Sequence, residues 1–152
     1  MIFYGPPGTG KTTLAKIIAN PLDRPFYTLS AVTSGVKEVR EVIEKAKNQH
    51  LFSARAAFLF IDEIHRFNKS QQDSLLGAVE KGEVVLIGAT TENPSFEVIT
   101  PLLSRCQVYT LKSMDEGQLA ELLNRAITTD TELQKRTITV EQTDALFRFA
   151  GG

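Results

Sequence analysis

The stretch IFYGPPGTGKTTLAKIIAN, Ile2 to Asn20, joins a short apolar run, a glycine-rich turn and a helical pattern. Within it, Gly5-Pro6-Pro7-Gly8-Thr9-Gly10-Lys11-Thr12 fits G-x4-G-K-[ST], with a strand expected before it and a helix after it. The spacing has a chemical reason. Glycines let the backbone curl so that successive N–H groups point inward at phosphate oxygens. A helix opening at Lys11 adds the positive end of its dipole. Lys11 is placed to reach the β- and γ-phosphates, Thr12 to offer its hydroxyl to Mg²⁺, and Thr13 completes the nucleotide-binding run. A glycine-rich turn that merely caps a helix is the plainer reading, and the strand–loop–helix context weighs against it. ATP and Mg²⁺ are the expected ligands.

Moving outward, FLFIDEIHRF, Phe58 to Phe67, is an apolar run that stops at two adjacent acids. Parallel strands present ligands at their carboxyl ends, so Asp62 is expected beside the metal, holding it through water. Glu63 would orient and deprotonate an attacking water. Alone, the pair could be two solvated acids at a strand end; with the phosphate loop upstream, a catalytic pair is the better reading. Val84-Val85-Leu86-Ile87-Gly88-Ala89-Thr90-Thr91 is a second buried run that ends in hydroxyls. Thr91 is placed to touch the γ-phosphate or the water, or else simply caps the strand. In Leu102-Leu103-Ser104-Arg105-Cys106 a rim arginine could reach a neighbouring subunit's phosphate, or could be an ordinary surface residue.

β-rich runs and helical patterns alternate, which predicts an α/β fold with a largely parallel sheet. Strands are expected at Ile2–Tyr4, Phe26–Leu29, Ala57–Asp62, Val84–Gly88 and Gln107–Leu111. Helices are expected at Lys11–Ala19, Val36–Asn48, Ser70–Lys81, Asp115–Thr128 and Val140–Ala150, with Asn20-Pro21 closing the first. Ser113-Met114-Asp115-Glu116 and Thr139-Val140-Glu141-Gln142 read as capping boxes. After the first box, Leu119, Leu122, Leu123 and Ala126 recur at helical spacing, which predicts a face packed inward. A nucleotide-binding core over 1–128 and the start of a helical lid over 129–152 are expected. Both ends look cut, and the chain reads as a fragment of a longer protein.

Composition sets outer limits. A chain of 152 residues, 42% hydrophobic, suffices for about one domain with a real core. With 17 basic and 18 acidic residues the net charge is −1, so only a local patch could favour nucleic acid. One cysteine, Cys106, excludes an internal disulfide and fits a reducing cytoplasm. No apolar stretch approaches the roughly 20 residues of a membrane span, so no membrane partner is expected.

Taken in order, GPPGTGKTT, LFIDEIHRF, LIGATTENP and LLSRC resemble an AAA+ ATPase of the clamp-loader and RuvB type. More narrowly, Ser30–Lys37, His65–Asp73 and Gly88–Phe96 resemble the RarA/MgsA family, which includes the Werner-helicase-interacting ATPase. The likeness spans Ile2 to Gly152. These three runs are more specific than the phosphate loop, which many ATPases share. The Asp62-Glu63-Ile64-His65 tetrad has a helicase look, but the Ser-Ala-Thr motif and second motor domain of such helicases are missing.

The resemblance implies roles. Lys11 and Thr12 match the phosphate-loop lysine and Mg²⁺ ligand, and Asp62 and Glu63 the metal-binding acid and catalytic glutamate. Thr91 matches the sensor threonine, and Arg105 an arginine finger acting in trans. It implies Mg²⁺-dependent ATP hydrolysis at stalled replication forks, in DNA replication, recombination and repair. It also implies a cytoplasmic homo-oligomer, a tetramer, stimulated by forked, gapped or ended DNA and in contact with single-strand-binding protein. His65, Arg66 and Lys69 are candidates for DNA or inter-subunit contact, or form a solvated loop. In the family the chain runs on past Gly152 to a second sensor arginine, and a segment preceding Met1 packs on adenine, so weak ATP binding and slow hydrolysis are expected of this chain. A clamp-loader subunit or RuvB-like branch-migration motor is the rival enzyme. A non-hydrolysing nucleotide switch serving as a scaffold is the rival of another class, and Glu63 argues against it.

Overall fold

The computed structural model describes residues 1–22, 24–52, 55–140, 142–143 and 145–147. It divides into two compact units, Met1–Gly5 with Gly10–Leu111, and Pro6–Thr9 with Lys112–Gly152.

The first unit is built on five strands: β1 Ile2–Tyr4, β2 Phe26–Ser30, β3 Ala57–Asp62, β4 Val84–Thr90 and β5 Val108–Thr110. Every pairing is parallel, in the order β2-β3-β4-β1-β5. Its helices are α1 Lys11–Ala19, α2 Val36–Phe52, α3 Lys69–Glu80 and the single turns α4 Pro94–Glu97 and α5 Thr100–Leu103. The two-residue repeat of β3 divides the core. Leu59 and Ile61 pack with Val39 and Ile43 of α2, Leu75 of α3 and Leu102 of α5. Phe58 and Phe60 face the other way, onto Ala15 and Ala19 of α1. Such a strand, covered on both faces, must be apolar throughout, and each large side chain it buries contributes about 1.5–3 kcal/mol.

This arrangement makes the site. β1 and β4 are neighbours, with Tyr4 opposite Thr90. The chain leaving β1 enters α1 on one face, while the chain leaving β4 reaches α5 on the other. Connections that part on opposite faces leave a crevice at the carboxyl ends of the strands, where open α/β sheets bind ligands. Gly5 opens the exit from β1 because space is lacking for anything larger. A Cβ there would lie 2.2 Å from the Leu111 carbonyl oxygen.

Small differences from the expected boundaries have local causes. The strand expected to stop at Gly88 continues to Thr90, since it is flanked by β3 and β1 and its ladder with β1 runs on to Thr90. α3 starts one residue earlier than expected, at Lys69, because Asn68 and Gln71 form a reciprocal capping box.

In the second unit, α6 Glu116–Thr129 is followed by a 3₁₀ turn, Leu133–Lys135. The expected box at Ser113 is not the one used: Asp115 accepts from the Gln118 N–H at 2.8 Å, and Gln118 accepts from the Asp115 N–H at 3.0 Å. The aspartate fits the same pattern two residues on, and its charge suits the positive end of the helix. The expected inward face of α6 is also corrected. None of its residues is buried, and Leu122 is 49% exposed, because within its unit the helix meets chiefly the short 3₁₀ turn. Of the helix expected over Val140–Ala150, Val140, Gln142 and Thr143 are not helical while Ala145–Phe147 are, the Phe147 N–H donating to the Thr143 carbonyl at 2.9 Å. Residues 141, 144 and 148–152, with part of the Thr139 box and the Gly151-Gly152 stop, lie outside the described residues.

Candidate functional site

Lys11 is the first residue of α1, with Gly10 before it in the left-handed region at φ 80°. The helix's first main-chain bond runs from the Leu14 N–H to the Gly10 carbonyl, 2.8 Å. The N–H groups of Thr12 and Thr13 precede it in the first turn, where an α-helix supplies no acceptor of its own. Lys11 is buried, and its Nζ donates to the Gly5 carbonyl at 2.8 Å, so the ammonium folds back over the exit from β1. Thr12 is half-buried. Thr13 is exposed and lines a cleft of about 560 Å³ with Lys16, Ile17, Asn20, Arg24 and Phe26, so its side chain belongs to the outer face of α1. Pro6, Pro7, Gly8 and Thr9 form their own tight turn: Thr9 Oγ1 donates to the Pro6 carbonyl at 2.9 Å, and Gly8 takes φ 84°, which suits only glycine.

Asp62 is the last residue of β3, half-buried, and makes no ion pair among the described residues. Its neighbour Glu63 turns sharply into the left-handed region, φ 54° and ψ 47°, the single non-glycine residue with positive φ among those described. Such a conformation costs on the order of 1–3 kcal/mol and has to be held by its surroundings. Ile64 holds it. The side chain is fully buried over β4, where a Cβ on Gly88 would sit 3.2 Å from Ile64 Cδ1. With Ile64 pinned, Glu63 and His65 on either side of it converge on the end of β4. Glu63 Oε2 accepts from the Thr91 hydroxyl at 3.3 Å and lies 3.2 Å from His65 Nδ1. Glu63 and Thr91, both expected at the site from sequence, are therefore in contact.

His65 corrects an expectation. A residue read as an outward loop contact has a side chain only 12% exposed, aimed into the site and 3.0 Å from Thr90 Oγ1. Arg66 and Lys69 are exposed. Two other contributors escaped the sequence reading. Thr90 is completely buried. Gln72, also buried, donates to the Phe67 and Glu97 carbonyls at 2.9 and 3.0 Å and accepts from the Ile99 N–H at 2.9 Å. It ties α3 to the segments after β3 and β4. A polar residue in helical phase with buried Leu75 was the available signal. Arg105 follows α5 at the surface, donating to the Pro101 carbonyl at 2.7 Å and pairing with Glu80 at the end of α3.

Among the described residues no three His, Cys, Asp or Glu side chains cluster as a metal site. One hydroxyl and one carboxylate, Thr12 and Asp62, nevertheless suit Mg²⁺, a hard ion that keeps several waters and draws its other oxygens from phosphate. No helix among the described residues is long and apolar enough to cross a membrane.

Residues 1–114 match the family model of ATPases associated with various cellular activities, AAA. Replication-associated recombination protein A of Haemophilus influenzae is 56% identical over 127 residues, covering 84% of this chain and 28% of the relative. ATPase WRNIP1 of Dictyostelium discoideum is 50% identical over 141 residues, 93% of this chain and 16% of the relative. The chain thus spans less than a third of the length of either. Among solved structures, the Thermotoga maritima RuvB Holliday junction branch migration motor aligns with a TM-score of 0.67 and 33% identity, over 84% of this chain and 42% of that one.

Proposed function

Since the chain belongs to the AAA family of ATPases, among relatives of replication-associated recombination protein A, we propose that it binds Mg²⁺-ATP and hydrolyses it by in-line attack of water. The observation that carries this reading is the meeting of Glu63 with Thr91 at the carboxyl end of the sheet. A carboxylate at that point supports the reading of Glu63 as a general base, which a mere nucleotide switch would not need.

The roles follow residue by residue. The main-chain N–H groups of Gly8 to Thr13, through Thr9 and Gly10, cradle the phosphates; Gly5, whose N–H is bonded to the Thr90 carbonyl at 3.2 Å, opens the turn, and Pro6 and Pro7 shape it. Lys11 exchanges its bond to the Gly5 carbonyl for the β- and γ-phosphate oxygens. Thr12 and Asp62 hold Mg²⁺, which neutralises charge developing on the phosphates when it is bound. Glu63 takes the proton of the attacking water, and Thr91 steadies both. Arg105 leaves Glu80 and reaches the γ-phosphate of an adjoining subunit, completing the charge stabilisation.

The larger setting is proposed on the relatives. The protein acts in the cytoplasm in DNA replication, recombination and repair at stalled forks. It works as a homo-oligomer, a tetramer, with forked or gapped DNA and with single-strand-binding protein as partners. Residues 129–152 begin its helical lid. A RuvB-like branch-migration motor is the second reading, favoured by the 33% identity to that structure and outweighed by the 56% identity to the recombination protein. Phosphate release by the protein, with and without forked DNA, tests the proposal. Turnover that DNA accelerates and Lys11→Ala abolishes is expected; equal release by Lys11→Ala would overturn it.

A further inference from the structure

The hydroxyl of Thr90 and the carboxylate of Glu63 meet the same ring nitrogen of His65. Thr90 Oγ1 lies 3.1 Å from the Glu92 carbonyl, to which it donates, and 3.0 Å from the Glu92 N–H, from which it accepts. With the proton on that carbonyl, the hydroxyl oxygen is left as an acceptor. The contact of 3.0 Å with His65 Nδ1 can then be a hydrogen bond only if the ring nitrogen is the donor. Nδ1 also lies 3.2 Å from Glu63 Oε2, so one ring nitrogen stands against both the strand-end hydroxyl and the carboxylate.

From this geometry we infer that His65 is a positioning residue for the general base. Its Nδ1 and the Thr91 hydroxyl meet the same carboxylate oxygen, Oε2, at 3.2 and 3.3 Å. The second oxygen, Oε1, makes no hydrogen bond or ion pair with the described residues and is the one left to take a proton from water. Two contacts on one oxygen restrict the rotation of the carboxylate. Thr90, completely buried and bonded to Glu92, fixes the ring. Without His65 the carboxylate swings about the Thr91 contact, and misplacement of about 1 Å can lower a rate on the order of 100-fold. The strained turn at Glu63 has a use here, since it brings residues 63 and 65 to one place on either side of buried Ile64.

The inference rests on Glu63 being the base, and a double-mutant comparison separates the two. Steady-state ATPase kinetics of the protein are measured for wild type, His65→Leu, His65→Asn, Glu63→Gln and the Glu63→Gln/His65→Leu pair. The leucine variant, similar in size but without a donor, is expected to lose roughly 10- to 100-fold in kcat with KM for ATP little changed. His65→Asn, whose amide can present an N–H near the same point, recovers most of that loss. Once Glu63 is glutamine, adding His65→Leu changes turnover by less than about twofold, because no base remains to position. Should leucine prevent folding, His65→Ala is predicted to show the same split. A loss of equal size in both backgrounds, or wild-type kcat in His65→Leu, overturns the inference. Unchanged turnover in Glu63→Gln instead overturns the assignment of the base itself.

Discussion

The guanidinium of Arg105 lies 2.5 Å from the carboxylate of Glu80, on the last residue of α3 in the same chain. Both side chains are about two-fifths exposed, and such pairs contribute about 0–1 kcal/mol, so the contact holds the arginine without trapping it. Arg105→Ala is expected to lower kcat by about 10³-fold, with ATP affinity little changed. Mixing it with Lys11→Ala restores part of the turnover, because the intact Lys11 site of an Arg105→Ala chain then receives the arginine of its Lys11→Ala neighbour. Two inactive variants that stay inactive when mixed would place the arginine's action within one chain.

Glu63→Gln keeps the size of the side chain and its acceptor for Thr91 but removes the base. Turnover is expected to drop by about 10²–10⁴-fold while bound ATP accumulates, measured as nucleotide retained after rapid gel filtration. Release of product at the wild-type rate would assign the base elsewhere.

Gln72→Leu tests the polar tie at the start of α3. It leaves the carbonyls of Phe67 and Glu97 and the N–H of Ile99 without their partner. Buried groups left unsatisfied cost about 1–3 kcal/mol each, so a loss of about 2 kcal/mol or more is predicted in urea unfolding. An unchanged midpoint would mean that water reaches these groups.

Gly5→Ala brings a methyl group to 2.2 Å from the Leu111 carbonyl oxygen, and both partners of that clash are backbone. The exit of β1 must shift, at a cost of about 1–3 kcal/mol, and a lower Tm is expected together with weaker ATP binding. A melt identical to wild type would contradict the close approach described here.

How much of this could be read from the chain follows from the range of each signal. Apolar runs located β1, β3 and β4, because a central parallel strand is buried on both faces and has to be apolar, while the edge strands β2 and β5 were marked by β-rich runs of Phe, Tyr, Thr and Val. Lys11, Asp62, Glu63 and Thr91 could be marked as candidates because each stands at a junction where a strand or loop gives way to the next element, and the structure brings Glu63 against Thr91. The orientation of His65 was not. A residue after two acids reads as solvated loop unless the left-handed turn at Glu63 and the burial of Ile64 over Gly88 are known, and those depend on pairing between β3 and β4. α6 failed in the opposite sense. Its leucine spacing is helical, but periodicity gives a face and not the surface that covers it. Arg105 was marked by its place after a short helical turn, while its bond to Glu80 joins residues 25 apart in sequence (105 − 80), a relation no local pattern encodes.

The central claim is that Lys11 with the glycine-rich turn holds the triphosphate, and that Thr12 and Asp62 hold its metal. Calorimetric titration of the protein with ATP, with and without Mg²⁺, tests it most directly in wild type, Lys11→Ala, Thr12→Ala and Asp62→Ala. Binding that Mg²⁺ strengthens in wild type, that loses this dependence in Thr12→Ala and Asp62→Ala, and that vanishes in Lys11→Ala is the predicted result. Wild-type affinity and Mg²⁺ dependence in all three variants would contradict it.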